Sequence, residues 1–263
     1  MSAQNQISVG EGVTLHLPEY RYLVDAAGLV TLLGAHAAEL SVTSRGVEFF
    51  AMRTFDVPKW RFHIVVDQPR PAPGRAIAAH PGKIAGALHI AGAPERHSDT
   101  RIYFGDGIAR FVGPDGTVEV SGRVTAAGSG RSAVPRGVEP LADIDVRHDY
   151  FIHGVLLALA RGTRAELRLS PPNGSGWLKL HVLSEANDDY NIIAVKVSKS
   201  PDIPIRGLYD AWILTELLLP LRNYITLRFL GNTNHPALHV IWSGILRDPE
   251  NPVPLTAEFY LEE

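Results

Sequence analysis

The order of secondary structure repeats on either side of one polar connector, and this repeat limits the possible folds most. The connector runs from Ala126 to Pro140, and its Gly, Pro, Ser and Ala residues leave little to bury. Before it, the hydrophobic spacing predicts strand, helix, three strands, helix and three strands, and the same order follows it. We therefore expect two similar domains, 1–125 and 141–263, joined by the interdomain segment 126–140.

Four stretches have apolar residues at helical spacing. The first begins at Pro18, a residue favoured at the start of a helix, and should bury one face made of Leu23, Ala26, Ala27, Val30 and Leu33. The other three predicted helices are 83–90, 150–159 and 208–219.

Most of the predicted strands are joined by short turns. Residues 40–43 and 47–49 flank the turn Ser44-Arg45-Gly46, and residues 102–104 and 109–111 flank Gly105-Asp106-Gly107. Strands joined in this way run antiparallel. The predicted fold class is α+β, with two helices packed on antiparallel sheets in each of two similar domains.

Composition excludes several classes of function. The 263 residues are 45% apolar and 20% charged, with a net charge of −3 and no cysteine. The charge gives no general attraction to nucleic acid, and disulfides, thiolate metal sites and a cysteine nucleophile are excluded. We expect no membrane span and no signal peptide, since no apolar run is long enough.

Catalytic and metal-binding patterns are weak. His235 and His239 have a helical spacing but lie in a predicted strand, where residues four apart are distant. His148 and His153 share no face. No Ser, His and Asp set stands in a nucleophile-elbow context. We expect no catalytic residues, no metal, no cofactor and no enzymatic activity.

Three stretches carry a family resemblance: residues 38–66, Ala133-Val134-Pro135, and residues 225–244 with 256–263. Together they resemble the DNA sliding clamps of the proliferating-cell-nuclear-antigen (PCNA) family, in its archaeal and eukaryotic form. Residues 38–66 resemble the first hairpin of the clamp and the strand after it, and Ala133-Val134-Pro135 resembles the apolar centre of its interdomain connector. Residues 225–244 and 256–263 resemble its closing strands and aromatic tail. The stretches follow one another in the family's order.

The resemblance implies a non-enzymatic subunit of a trimeric ring that encircles duplex DNA without sequence preference. It implies a clamp loader, DNA polymerase, flap endonuclease and DNA ligase as partners, held through a pocket under the connector. It also implies a location with the DNA, which is cytoplasmic in an archaeal-type cell and nuclear in a eukaryote. Two alternatives are a related clamp specialised for damage response and a two-repeat α+β enzyme or ligand-binding protein. The duplicated order and the connector argue against the second, since no convergent acid–base or metal set appears.

The resemblance also implies the residues of the client pocket. Each could instead simply cover a hydrophobic core. The tail departs from the family, because Glu262 and Glu263 stand where small residues and Pro are usual. The implied pocket residues are Met52, Val57, Val134, Pro135, Pro236, Tyr260 and Leu261.

Cations on the helices should face the DNA in such a ring, because neutralising phosphates gives sequence-independent binding. Acids at Asp25, Asp149, Asp210 and Glu216 offset them, and Ile213 and Leu217 stand where relatives often have Lys. An ordinary solvated helix face is the alternative for each cation. The candidates are Arg21, Lys83, Arg147, Arg161, Arg206 and Arg222.

Subunits of the family join through edge strands, and the matching positions here are 117–124 and 190–197. The predicted interface residues are Val118, Val120, Ile193 and Val195, apolar residues that protect an edge poorly. Because the helices carry few cations, we expect a mixed ring with sister subunits, a heterotrimer, rather than three copies of this chain.

Overall fold

The computed structural model of the chain describes residues 12–15, 17–55, 58–67, 74–91, 100–114, 116–127, 132–135, 137–172, 178–246 and 253–262. These residues group into two compact units that alternate along the chain. Unit 1 comprises Met1–Met52, His63–Arg131 and Ile245–Thr256, and unit 2 comprises Arg53–Phe62, Ser132–Gly244 and Ala257–Glu263. The predicted domain boundaries at 125 and 141 stay a prediction.

The first half of the chain contains two helices and nine strands among the described residues. They are β1 (Gly12–Leu15), α1 (Leu17–Leu32), β2 (Ala37–Val42), β3 (Gly46–Arg53), β4 (Lys59–Asp67), β5 (Arg75–Ala79), α2 (Pro81–Ala91), β6 (Thr100–Phe104), β7 (Ile108–Gly113), β8 (Gly116–Ser121) and β9 (Arg123–Ala126).

The second half follows the same plan in its described residues. Its elements are β10 (Pro140–Arg147), α3 (His148–Arg161), β11 (Arg164–Leu169), β12 (Lys179–Leu183), β13 (Asp189–Ile193), β14 (Lys196–Lys199), β15 (Ile205–Asp210), α4 (Ala211–Leu218), β16 (Tyr224–Gly231), β17 (Pro236–Leu246) and β18 (Val253–Glu262).

The pairing of strands repeats as well as their order. In unit 1, β6 lies between β1 and β7, and β2 lies between β3 and β5. In unit 2, β16 lies between β10 and β17, and β11 lies between β12 and β15. Every one of these pairs is antiparallel. The predicted α+β class, with two similar halves, is therefore confirmed.

Each half buries the helix faces that its sequence predicts. The five apolar residues predicted for the buried face of α1 are all buried, and α1 packs against α2. In unit 2, α3 packs on α4 and on β11, β12 and β13. No helix in the described part of the chain is long and apolar enough to cross a membrane.

Some predicted elements were wrong in detail. Strands β5 and β15 were not predicted. The predicted last strand of the first half is two strands, β8 and β9. The predicted third strand of the second half is also two strands, β13 and β14. Helix α4 begins at Ala211 rather than Leu208. The Asp210 side chain caps it by accepting a hydrogen bond from the Ile213 amide at 2.9 Å, so residues before Asp210 belong to β15.

Candidate functional site

The connector lies on an apolar patch of unit 2. Ala133 is fully buried against Leu230 and Tyr260, which lie at the ends of β16 and β18. Three partly buried apolar residues surround this cluster: Val134, Val138 and Ala237. The described connector residues 132–135 and 137–139 thus follow the sheet surface, because Ala133 is anchored there.

A cavity of about 540 Å³ opens beside this patch, and we call it the connector cavity. The pairing of β16 with β17 builds one wall, since Leu230 lies opposite Ala237 and Gly231 opposite Pro236. Gly231 has φ of +85°, which favours glycine at this end of the strand. The lining residues are Val138, Leu230, Gly231, Asn232, His235, Ala237, Tyr260 and Glu262.

Tyr260 and Glu262 form the polar edge of the connector cavity. The Tyr260 hydroxyl donates a hydrogen bond to Glu262 Oε1 at 2.7 Å. Burial, with this carboxylate as a second cause, raises the pKa of Tyr260 well above its usual value, although nearby Arg61 lowers it slightly. The phenol therefore remains a neutral donor at physiological pH and holds the Glu262 side chain in place.

The structure brings part of the predicted client pocket together. Val134 contacts the cluster that contains Tyr260, and Pro135 next to it is half-buried. Pro236 is buried, and its carbonyl accepts a hydrogen bond from the Tyr209 hydroxyl at 2.7 Å. Leu261 is fully buried, on the opposite face of β18 from Tyr260, because successive strand residues alternate in direction. It supports the strand and does not line the connector cavity.

Two other predicted pocket residues lie elsewhere. Met52 is half-buried in β3 and belongs to unit 1, and Val57 lies outside the described residues. Sequence reasoning missed Leu230 and Ala237. The signal for Leu230 was its position directly after Phe229, since two consecutive apolar strand residues indicate that both faces of the strand are covered.

The two predicted interface strands lie at the ends of their sheets, β8 beside β7 and β13 beside β12. In β8 the exposed side chains are polar: Thr117, Glu119 and Ser121. Val118 is half-buried, while the Val120 side chain is only 2% exposed. Val120 can therefore contribute to an interface through its backbone but not through its side chain.

The edge at β13 is apolar at its C-terminal end, whereas Asp189 and Asn191 are exposed nearer its start. Ile193 and Val195 are 54% and 57% exposed, and a cavity of about 470 Å³ opens beside them. Unlike β8, this edge offers both a free strand and a hollow for side chains. Its lining residues are Arg147, Tyr150, Tyr190, Asn191, Ile192, Ile193, Ala194 and Val195.

Most predicted DNA-facing cations have partners within the chain. Arg147 Nε donates to Asp149 at 3.0 Å, and its guanidinium stacks over the Tyr150 ring at 4.7 Å. The hydrogen bonds from Arg147 lower the pKa of Asp149. Arg161 lies 3.3 Å from Asp188.

Two more of the predicted cations, Arg222 and Arg206, form hydrogen bonds within the chain, and both lie outside the bounds of the helices. Arg222 donates to the carbonyl oxygens of Leu219 and Leu221. Arg206 was predicted at a helix end, but it lies in β15 and donates to Glu166 at 3.1 Å. Arg21 and Lys83 are exposed on α1 and α2. Few cationic groups of α3 and α4 are thus left for phosphates.

Large apolar residues are exposed on α3 and α4 beside Asp149, His153 and Arg161, but not at the positions that the sequence predicted. Ile213 and Leu217 were expected to face outward in place of Lys, and both are buried because that side of α4 packs on the sheet. The large apolar residues that are exposed there are Tyr150, Leu156, Leu157 and Trp212.

The predicted strand position of His239 is confirmed, and its ring is buried in β17, with Nε2 3.6 Å from a carboxylate oxygen of Glu258. Within the described ranges, no three His, Asp or Glu side chains come together as a metal site would require.

Comparison with solved structures identifies the fold, whereas comparison by sequence finds no relative. No protein-family model matches the chain, and no curated protein matches it in sequence. Among solved structures, A. fulgidus PCNA bound to the C-terminal region of FEN-1 is similar, with a TM-score of 0.66, 11% identity and coverage of 95% of this chain and 97% of that one. PCNA from Thermococcus kodakaraensis is similar at a TM-score of 0.60 and 11% identity, with 95% and 98% covered. The chain has the fold of PCNA sliding clamps over nearly its whole length.

Proposed function

We propose that this chain is a non-enzymatic subunit of a ring-shaped sliding clamp, which encircles duplex DNA and tethers a polymerase and other DNA-processing enzymes. The observation that carries the proposal is the match to A. fulgidus PCNA over 95% of this chain and 97% of that protein. The ring would act where the DNA is, in the cytoplasm of an archaeal-type cell or in the nucleus of a eukaryote.

Two surfaces support the proposal. The free edges of β8 and β13 can pair between neighbouring subunits, which is how a head-to-tail contact closes a ring. The patch around Ala133, with Val134, Leu230 and Tyr260, fits the apolar face of one helical turn of a client. The A. fulgidus PCNA structure holds the C-terminal region of FEN-1, and we extend that class of partner, with polymerase, ligase and clamp loader, to this chain.

We propose a mixed ring rather than three copies. Large apolar residues are exposed on α3 and α4, and Arg147 and Arg161 are paired with acids of the same chain. Three copies would therefore surround DNA with little positive charge, whereas sister subunits could supply it.

The proposal is tested by mass photometry of the purified chain, alone and with sister clamp subunits from the same genome. A trimer that is retained on circular but not on linear DNA, and that stimulates a polymerase, supports the clamp. A trimer of this chain alone with full activity would exclude the mixed ring. A chain that stays monomeric in every mixture would exclude the clamp.

Client docking is tested by Val134→Asp. A carboxylate on the half-buried Val134 would be desolvated by a docked apolar side chain, so we expect binding of a client peptide to fall at least thirtyfold. Titration calorimetry measures it. Val197→Asp, on the exposed strand β14, is the control and should bind as the wild type does. Unchanged affinity in Val134→Asp would place the docking site elsewhere.

A further inference from the structure

The connector cavity has two chemically different sides. Leu230, Ala237 and the Tyr260 ring form an apolar wall, and Asn232, His235 and Glu262 form a polar rim. An apolar side chain of a peptide would fill the first. The rim then decides which polar residue can stand beside that apolar anchor.

Among the described residues that line the connector cavity, Glu262 is the only one with a carboxylate. Its Oε1 accepts the Tyr260 hydroxyl at 2.7 Å, which fixes the side chain at the rim. Its Oε2 has no hydrogen bond or ion pair within the described part of the chain, although a carboxylate oxygen can accept two. Glu262 is also partly buried, so the missing partner is not fully replaced by water.

No cation of the described chain forms an ion pair with this carboxylate, whose one described contact is the Tyr260 hydroxyl. Arg61 is close enough to influence the Tyr260 phenol but is not paired with Glu262 among the described residues. His235 at the same rim is engaged in an interaction of its own. The rim therefore presents negative charge beside an apolar hollow.

We propose that Glu262 selects client peptides that carry a Lys or Arg beside their apolar anchor. The inference rests on the proposed function, because it assumes that the connector cavity receives client peptides. The peptide ammonium or guanidinium would donate to Glu262 Oε2 while the apolar anchor occupies the wall of Leu230 and Tyr260. Oε1 already accepts from Tyr260, so Oε2 is the oxygen without a partner among the described residues. Arg could bind in bidentate fashion only by sharing Oε1 with the Tyr260 hydroxyl, so Lys and Arg should serve about equally.

The test uses fluorescein-labelled peptides with Leu, Phe and Phe at positions i, i+3 and i+4, which face one side of a helical turn. One series places Lys, Arg, Gln or Glu before the Leu, and a second places them after the last Phe. Each is titrated by fluorescence anisotropy against the full chain, against Glu262→Gln and against Glu216→Gln. The Gln at 262 keeps an acceptor for the Tyr260 hydroxyl. Glu216→Gln removes the same charge from α4, outside the cavity.

In one of the two series, we expect the wild type to bind the Lys and Arg peptides roughly three- to tenfold tighter than the Gln peptide, the range of a partly exposed charge pair. Glu262→Gln should lose this preference while it binds the Gln peptide as before, and Glu216→Gln should keep it. Raising the salt concentration should reduce the preference in the wild type and in Glu216→Gln alike, since both keep the Glu262 carboxylate.

Two results would overturn the inference. Peptides that bind with no preference for Lys or Arg, or with a preference that Glu262→Gln retains, would refute the role of Glu262 but leave the clamp proposal intact. Peptides that do not bind at all would refute both this inference and client docking at the cavity. Ring formation, followed separately by mass photometry, would then show whether the clamp proposal also fails.

Discussion

The two halves of the chain share one plan but break different strands. In the first half, β4 is a single nine-residue strand, while the last strand is divided at Gly122 into β8, which pairs with β7, and β9, which pairs with β5. In the second half, the last strand β18 is a single ten-residue strand. There the division falls between β13, which pairs with β12, and β14, which pairs with β10.

These breaks give the two halves edges of different chemistry. In β8 the valines turn inward and polar side chains are exposed, because α2 packs on that strand. At the end of β13 the chain leaves the sheet, and Ile193 and Val195 remain exposed beside a cavity. A duplicated fold therefore carries two unlike ends, and unlike ends suit the head-to-tail contact of the proposed ring.

The apolar edge should matter most for assembly. We expect Ile193→Asp to weaken subunit association at least tenfold, because a buried unpaired carboxylate at an interface is costly. Ile203→Asp is a matched control, since Ile203 is 56% exposed and Ile193 is 54% exposed, but Ile203 does not line the edge cavity. Mass photometry of the assembly that the wild type forms is the measurement. Equal effects of the two variants would remove β13 from the interface.

The division at Gly122 should be sensitive to a single methyl group. A Cβ there would lie 2.5 Å from the Ala78 carbonyl oxygen, a backbone atom that cannot move aside. We expect Gly122→Ala to lower the free energy of unfolding by about 2–3 kcal/mol. The thermal midpoint should fall by about 5–10 °C.

Gly154 in the second half provides the comparison for this variant. Its Cβ would lie 2.9 Å from a ring carbon of the Tyr190 side chain, which can shift, and 3.2 Å from two side-chain carbons of Val182, a milder crowding than at Gly122. Ala also favours the helix by about 1 kcal/mol over Gly. Gly154→Ala should therefore stay within about 1 kcal/mol of the wild type. If Gly122→Ala melts no lower than Gly154→Ala, close backbone approach does not explain the division of the strand.

The smallest expected difference between the halves is pH dependence. The second half has His148 at the start of α3, where α1 of the first half has Leu17. Nε2 of His148 donates to the Leu218 carbonyl at 2.8 Å, and burial lowers the pKa of His148 despite this bond. The unfolded state then binds the proton more readily than the folded state. The contribution of neutral His148 to the free energy of unfolding is complete above about pH 6.5 and is lost as the pH falls towards the pKa of His148 in the folded state.

The variant His148→Gln removes this titration and keeps a donor for Leu218. We expect the thermal midpoint of the wild type to fall more steeply between pH 7 and pH 5 than that of His148→Gln. For one proton, the free energies of unfolding should diverge by at most about 1.4 kcal/mol per pH unit. Parallel curves would show that His148 does not contribute. Differential scanning calorimetry in matched buffers is suitable.

Much of the fold could be predicted from local patterns. The helical spacing in α1 and the turns between β2 and β3 and between β6 and β7 follow from neighbouring residues, and the structure confirms them. Strand β15 was missed because Leu208 and Tyr209 extend the apolar spacing of α4 backwards. Asp210 was the available signal, since Asp is a preferred helix cap. Strand β5 (RAIAA) is short, and Ala has no preference for strands.

Less of the candidate site could be predicted. Apolar alternation continues from Tyr190 to Val197, and nothing in the local sequence marks where the chain stops pairing with β12 and begins to pair with β10. Tertiary contacts decide that position. The same holds for charge. A sequence counts Arg147 and Arg161 as cations, whereas their pairing with Asp149 and Asp188 appears only once the chain is folded.

These internal ion pairs bear on how the proposed ring would move. A cation held by an aspartate displaces few of the condensed counterions that surround a duplex, and release of those counterions drives protein–DNA affinity at low salt. A ring lined by α3 and α4 would then gain little affinity on dilution of the salt. Such a ring would also meet little electrostatic friction from one phosphate to the next. Its residence time on DNA would be set by the opening of its subunit joints.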